Sequence, residues 1–262
     1  MIPARQHVVS SFTLIKGSLL GETYAVFAGW DLGASKDENL DRLRATNWIG
    51  ATSANWLRDV AKVLHRRFDT EGRDRPLVVL AQRGCPLSVW TPLLLWHATR
   101  DEFLLRDFLE DWLFERYEGG AFRLRTEDLL PYLQALFGRE EAVTGEESWS
   151  ESTTKRVASA LLKFAADVGL LTGTLAREFT TYHLPDASLL YLLHAIEGKE
   201  HNAQRVVEAP DWRMYLMEPG DIERELLRLH QYRQLEYHVA GSLAQLTLPA
   251  SDTLAFAEVM TW

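Results

Sequence analysis

The chain has 262 residues, of which 47% are apolar and 25% charged, values typical of a folded globular protein and unlike those of disordered or low-complexity chains. Its 42 Leu against 15 Val and 5 Ile favour helices over strands, because β-branched side chains lose rotamer freedom in a helix. With 28 Lys and Arg against 37 Asp and Glu, the net charge of −9 excludes a global basic field, so any nucleic-acid site must be a local patch.

The first half of the chain is predicted to be a helical bundle, because its apolar residues recur at helical spacing. The periodicity is clearest from Leu57 to Phe68, whereas the stretch 87–99 is apolar on all sides, as is typical of a buried central helix. Helices are predicted over residues 12–29, 39–45, 57–68, 77–81, 87–99, 101–118 and 127–137.

The polar, acidic stretch 138–148 is predicted to be the main linker, which divides the chain into an N-terminal bundle at 1–140 and a C-terminal region at 141–262. Ser148 and Glu151 match a capping box at the start of the next helix. The elements predicted beyond that helix are a turn at 170–173, a strand at 179–184, helices at 187–196 and 221–230, and a hairpin of 235–239 with 243–248. Helix, helix and hairpin in this order are typical of a winged helix-turn-helix.

Enzyme sites find little support in the sequence, which has no phosphate loop, no dinucleotide-binding glycine motif and no nucleophile elbow. Cys85 precedes a proline in an apolar stretch, which favours a buried, inert thiol. His194, Glu197 and His201 share one helical face, but Gly198 interrupts that helix, so a solvated helix end is preferred over a metal site. The sequence therefore predicts a protein that is not an enzyme and uses no cofactor or metal.

The sequence also predicts a soluble protein without a membrane anchor. The longest uncharged run, at 84–99, contains Pro86 and Pro92 and has 16 residues, whereas a spanning helix needs about 20 apolar residues. No long apolar core precedes Lys16, which argues against a signal peptide. A single cysteine suits a reducing compartment, so we expect the protein in the cytoplasm.

Positive charge is concentrated in two strips of this acidic chain. Residues 42–75 hold eight basic against four acidic side chains, and residues 148–177 hold four against two. The stretch 101–147 between them holds 13 acidic against five basic side chains. Cationic helix faces are common without any ligand, so charge alone leaves a DNA-binding face and a solvated face both open.

The second strip places hydroxyl side chains and two cations at a predicted helix start, in residues 149–171. The N-terminal residues of a recognition helix enter the major groove, where such groups reach phosphates and base edges. An ordinary capped helix, whose Ser and Thr satisfy its own backbone, explains the same residues equally well. Both interpretations stay open on this evidence.

Several stretches of the chain follow one another in the order and spacing of a known family. They are residues 11–22 with Trp30, 39–46, 53–67, 96–98 with 103–117, 150–171, and 216–248 with Ala240-Gly241-Ser242. Together they resemble the BrxA family of bacteriophage exclusion (BREX) defence systems. The resemblance extends over nearly the whole chain, and it depends on the order of several weak motifs.

The resemblance implies a non-enzymatic, all-α protein with an N-terminal bundle (1–140) like that of the antitermination factor NusB and a C-terminal region (141–262) of helix-turn-helix type. It also implies binding to double-stranded DNA and work beside the methyltransferase, ATPase and phosphatase-like components of the system. Carried over by position, the family's hydroxyl-plus-basic helices match Arg58, Lys62, Arg66 and Arg67 on one helix, and Ser150, Ser152, Thr153, Thr154, Lys155 and Arg156 on another. Lys163, seven residues after Arg156, returns to the same side of that helix.

We therefore predict a mainly helical protein with a small β-wing content that binds duplex DNA mainly through phosphate contacts. The alternative is a protein-interaction scaffold that uses the helix-turn-helix fold for docking, since fold alone does not fix function. The acidic stretch 101–147 and the nine Trp of the chain suit such a partner surface.

Overall fold

The computed structural model describes residues 12–144, 149–200, 202–241 and 243–262. Within it the chain forms two compact units, each assembled from separate stretches. Unit 1 contains the described residues up to Leu19 together with Ala98–Tyr182, and unit 2 contains Leu20–His97 and His183–Trp262. This clustering differs from the sequence-based division at residue 140, which stays a prediction, as does the likeness of the N-terminal bundle to NusB.

Helices dominate the described chain, and the predicted all-α class with a small β content is confirmed. The helices are α1 (Phe12–Ile15), α2 (Leu20–Ala28), α3 (Lys36–Thr46), α4 (Ala54–Arg67), α5 (Arg75–Gln82), α6 (Leu87–Thr99), α7 (Phe103–Asp107), α8 (Phe114–Glu118), α9 (Thr126–Thr144), α10 (Glu151–Asp167), α11 (Asp186–Glu200), α12 (Ala203–Val207), α13 (Pro219–Gln231) and α14 (Thr253–Val259). A π-helical segment, Phe108–Leu113, joins α7 to α8, and a 3-10 segment, Pro210–Tyr215, follows α12. The strands are β1 (Leu171–Gly173), β2 (Arg177–Phe179), β3 (Glu236–Ala240) and β4 (Leu243–Thr247).

In unit 1, α9 packs against α10, and the β1–β2 hairpin begins shortly after α10 ends. The two strands pair antiparallel, with Leu171 opposite Phe179 and Gly173 opposite Arg177. An isolated bridge also joins Leu124, just before α9, to Arg177 through two backbone hydrogen bonds of 2.8 Å. A third extended segment therefore lies beside β2.

The predicted apolar face of α10 is confirmed, because Val157, Leu161, Phe164 and Val168 are all buried. Burying a side chain of this size stabilises the fold by about 1.5–3 kcal/mol. The start of the helix was predicted wrongly, since its N-cap is Ser150 and the predicted cap residue 148 lies outside the described residues.

Unit 2 contains α6 as far as His97, and the predicted burial of this helix is confirmed along most of its length. A buried polar chain crosses this unit: His97 Nδ1 lies 2.5 Å from Asp74 Oδ1, and His97 Nε2 lies 2.8 Å from the Tyr191 hydroxyl. Burial alone would raise the pKa of Asp74, but hydrogen bonds and charges from His97 and Arg73 together lower it. All three members of the chain are sealed from solvent, so we assign it a structural role.

The second hairpin, in unit 2, agrees with its prediction. β3 and β4 pair antiparallel, with Glu236 opposite Thr247 and Ala240 opposite Leu243. Position 242 in its turn lies outside the described residues.

Several predicted elements differ in extent, and for three of them the structure shows where the difference lies. The first helix is divided into α1 and α2, because Gly17 (φ 91°) and Leu19 (φ 54°) adopt left-handed backbone conformations. Helix α9 continues to Thr144 and so includes the first part of the predicted linker, whose residues 145–148 are outside the described chain. The predicted strand at 179–184 is wrong beyond β2, which ends at Phe179, although the Thr180 N–H still donates to the Leu170 carbonyl at 3.1 Å.

Candidate nucleic-acid interface

The solvent-facing side of α10 carries most of the residues predicted from the sequence. Ser152, Lys155, Arg156 and Lys163 are all exposed, opposite the buried apolar face. Their spacing of three, four and seven residues keeps them on one side of the helix. Ser159 is exposed on the same side, and the sequence analysis missed it although its position three residues after Arg156 was a sufficient signal.

The remaining hydroxyl residues of the strip form hydrogen bonds within the helix itself. The Thr153 backbone N–H donates to Ser150 Oγ at 3.3 Å, which caps the helix, and the Thr154 hydroxyl donates to the Ser150 carbonyl at 3.1 Å. Thr154 is also buried and is therefore removed from the candidate contacts. For Ser150 and Thr154 the capped-helix interpretation accounts for the geometry.

Two of the three cations on α10 carry a carboxylate partner one turn away. Lys155 Nζ donates to Glu151 Oε1 at 2.7 Å, a hydrogen bond that raises the pKa of Lys155 and lowers that of Glu151. Lys163 Nζ lies 2.7 Å from Asp167 Oδ2. Arg156 makes no ion pair or hydrogen bond with any residue that the structure describes, so it is the cation most available to a ligand. Exposed pairs contribute little to stability, and both lysines can therefore exchange their carboxylates for another anion.

The first strip lies on α4, in unit 2, where Arg58, Lys62 and Arg66 are exposed as expected. Arg58 donates to the Asn55 side chain one turn earlier. Arg67 is the exception, because it is fully buried. Its position three residues after the buried Leu64 puts it on the apolar face of α4, which excludes it as a surface contact.

The β1–β2 hairpin adds exposed residues at and after the stretch 170–173, which is a strand at 171–173 and not the predicted turn. Thr172, Thr174 and Leu175 are exposed, and Leu175 at the tip keeps 92% of its surface in solvent. The Arg177 guanidinium donates to the Gly173 carbonyl at 2.9 Å and closes the base of the tip. Three-residue strands offer too little alternation to be recognised from sequence, and the glycine before the tip was the one available signal.

The residues considered for other chemistry are buried. Burial raises the pKa of the Cys85 thiol to about 12, and the predicted buried position of this residue is confirmed. His194 on α11 is 4% exposed, and burial lowers its pKa to about 4 against a weaker opposing effect of Asp252. Glu197 lies on the same helix, whereas position 201 is outside the described residues. Across the described ranges, no group of three or more His, Cys, Asp or Glu is arranged to hold a metal ion.

Among the described residues, no helix is both long enough and apolar enough to span a membrane.

Comparison with known proteins gives one family match. The model of the BrxA family matches residues 11–195, a stretch that includes both α4 and α10. No curated protein and no solved structure matches the chain.

Proposed function

The chain belongs to the BrxA family, and from this premise we propose that it is an accessory protein that binds double-stranded DNA. Membership in the family makes the chain a component of a BREX phage-defence system. The observation that carries the DNA-binding proposal is the face of α10, where Ser152, Arg156 and Ser159 are exposed beside Lys155 and Lys163.

We infer that unit 1 contains a winged helix-turn-helix. In that motif two helices precede a hairpin, and a short strand ahead of them pairs with the last strand of the hairpin. The proposal is supported by the order Leu124, α9, α10, β1, β2 and by the bridge from Leu124 to Arg177. The wing in this proposal is β1–β2, whereas the sequence analysis had used the later hairpin, β3–β4, which belongs to unit 2.

In the proposed complex, α10 is the recognition helix and lies in the major groove. Arg156 contacts a phosphate or a guanine edge, while the two lysines release their carboxylates to phosphates. With so few cations, we expect roughly 3–5 phosphate contacts and therefore weak, salt-sensitive binding. Arg58, Lys62 and Arg66 on α4 form a second candidate surface for phosphates.

We further propose that the protein acts by binding and not by catalysis, in the cytoplasm, beside the methyltransferase, ATPase and phosphatase-like components. The isolation of the Asp74–His97–Tyr191 chain from solvent supports a binding role, because this acid–base arrangement cannot reach a substrate.

The test is a charge reversal on α10, in the variant Lys155→Glu, Arg156→Glu, Lys163→Glu. It inverts the charge of the proposed contact, so duplex affinity should fall by orders of magnitude at low salt, while the fold stays nearly unchanged because the three side chains are exposed. Binding is measured by fluorescence anisotropy at two salt concentrations, and folding by circular dichroism.

A matched control makes the same change in net charge on exposed arginines of unit 2: Arg205→Glu, Arg224→Glu, Arg233→Glu. If the control loses as much affinity as the α10 variant, binding follows overall charge and not this helix. No binding by the parent protein at low salt would overturn the DNA-binding proposal altogether. The separate reversal of Arg58, Lys62 and Arg66 measures the contribution of α4.

A docking scaffold is the second candidate function, favoured by exposed aromatic side chains in unit 1. Phe122 is 73% and Tyr117 42% exposed, and the Tyr117 ring lies 5.4 Å from that of Phe179. Large exposed apolar groups of this kind are typical of protein-binding surfaces. An α10 variant that loses phage protection but keeps its DNA affinity would favour this function.

A further inference from the structure

The tip of the β1–β2 hairpin presents an apolar side chain to solvent. Leu175 is 92% exposed, which is more than any other large apolar residue of the described chain. It lies between Thr174 and Ala176 in the three-residue loop that joins the strands. A single exposed leucine is common on protein surfaces, so a functional role for Leu175 has to be argued from the conformation of the tip and from the residues around it.

A tight turn and hydrogen bonds fix both ends of the loop that carries Leu175. Gly173 has a φ of 92°, and a Cβ added there would lie 2.4 Å from the Ala176 carbonyl oxygen, so this tight turn requires glycine. Across it the Arg177 guanidinium donates to the Gly173 carbonyl, and the Arg177 backbone is bonded to Leu124 in both directions. The loop that presents Leu175 is therefore fixed at both of its ends.

A short connection and two hydrogen bonds also hold the hairpin next to α10. Only residues 168–170 separate the helix from β1, and the Leu170 N–H donates to the Ala165 carbonyl at 2.9 Å. The Thr180 hydroxyl returns from the other strand to the Gly169 carbonyl at 2.6 Å. No carboxylate occurs from residue 168 to residue 177, and the carboxylate of Glu178, the next residue of β2, lies 3.1 Å from Arg123 Nη2.

We propose that the hairpin tip enters the DNA minor groove and that Leu175 inserts between base pairs as an apolar wedge. This inference rests on the proposed function, because it requires α10 to occupy the neighbouring major groove. A loop of Thr, Leu and Ala is slender enough for a groove about 6 Å wide, and apolar wedges that partly unstack base steps are a common minor-groove device. The bound duplex is then kinked, and sites with flexible steps such as TA are preferred over stiff A-tracts.

The experiment compares the parent with Leu175→Ala and Leu175→Met on a 24-base-pair duplex that carries a central TA step and a fluorophore at each end. Leu175→Ala should lower affinity about tenfold and reduce the bend, seen as lower energy transfer between the ends. Leu175→Met keeps an apolar wedge and should restore both. A minor-groove ligand of the netropsin type should compete with the parent protein for the duplex.

The matched control is Leu243→Ala, which removes a leucine that is 74% exposed in the other hairpin and should change neither affinity nor bend. The inference is overturned if Leu175→Ala binds and bends the duplex as the parent does while the α10 charge reversal abolishes binding, and the proposed function then survives. If the parent binds no duplex, the proposed function itself fails. If Leu175→Ala keeps DNA binding and bending but loses phage protection, the tip contacts a protein and the wedge is excluded.

Discussion

The exposed candidate side chains can contact a ligand, whereas the buried ones stabilise the fold. Arg156 and Lys62 point to solvent, whereas Arg67 and Thr154 are buried although they are neighbours of exposed residues in the same helices. The family resemblance, carried over by position, predicts all four as contacts. The helical period distinguishes them, because Arg67 lies three residues after the buried Leu64 and Thr154 three residues before the buried Val157.

His194 gives a pH-dependent prediction. Its pKa is lowered from 6.5 to about 4 by burial, so the folded protein keeps the imidazole neutral while the unfolded chain is protonated below pH 6.5. Stability contributed by the neutral side chain is complete above pH 6.5 and is lost as the pH falls toward 4. We expect the free energy of unfolding to drop by about 1–2 kcal/mol from this residue between pH 7 and pH 5.

Urea unfolding of the parent and of His194→Gln at both pH values measures this contribution. The variant removes the titrating group next to Phe256, whose ring centroid lies 5.2 Å from that of His194, so its stability should depend less on pH. Equal pH dependence in the two proteins would contradict the assignment.

Among the helices, α10 is stabilised at its start by one hydroxyl group. Ser150 Oγ accepts the hydrogen bond of the Thr153 N–H, and loss of such a cap costs about 1 kcal/mol. Ser150→Ala should therefore lower the free energy of unfolding by that amount in chemical denaturation.

Ser159→Ala is the control for the cap, because Ser159 is exposed in the middle of the same helix and alanine is the better helix former. It should leave stability unchanged or slightly raised. A loss in this variant as large as in Ser150→Ala would show that the effect does not arise from the cap.

Helices were predictable from the sequence where their period was long enough to be counted, as in α4 and α13, and α6 was predictable from its continuous apolar run. The same holds for β3 and β4, whose five residues each show alternation. The short strands β1 and β2 were not predicted, apart from Phe179, because three residues define no period. The extension of α9 was not predicted because charged residues form helices as readily as linkers. The candidate face of α10 was predicted nearly completely, whereas the hairpin beside it was not.

At the scale of the whole molecule, the division into two units could not be predicted from the sequence, because each unit combines stretches that are far apart in the chain. Trp96 Nε1 donates to Asp211 Oδ1 at 2.8 Å, and the Ser188 hydroxyl donates to the Val89 carbonyl at 2.8 Å. Local periodicity carries no information on pairs about a hundred residues apart, so the boundary predicted at residue 140 came from composition alone.

A chain that ends at Tyr182 tests this arrangement. It contains all of unit 1 but lacks the second stretch of unit 2, so Trp96 and His97 lose Asp211 and Tyr191. We expect residues 20–97 to exchange their amide hydrogens rapidly in the truncated chain, while α9 and α10 stay protected. Equal protection of residues 20–97 in the full and truncated chains would show that this stretch folds without its C-terminal partners.

The divided core of unit 2 has a consequence for synthesis of the protein. A ribosome makes residues 20–97 first and then the whole of 98–182 before the segments that bury Trp96 and His97 exist. At about 5–20 residues per second, translation of residues 98–182 takes roughly 4–17 seconds, and the core of unit 2 stays incomplete during this time. Over the same interval Trp96 and the Pro92 carbonyl lack their later partners, Asp211 and Tyr215, and we expect chaperones that recognise exposed apolar segments to bind the nascent chain.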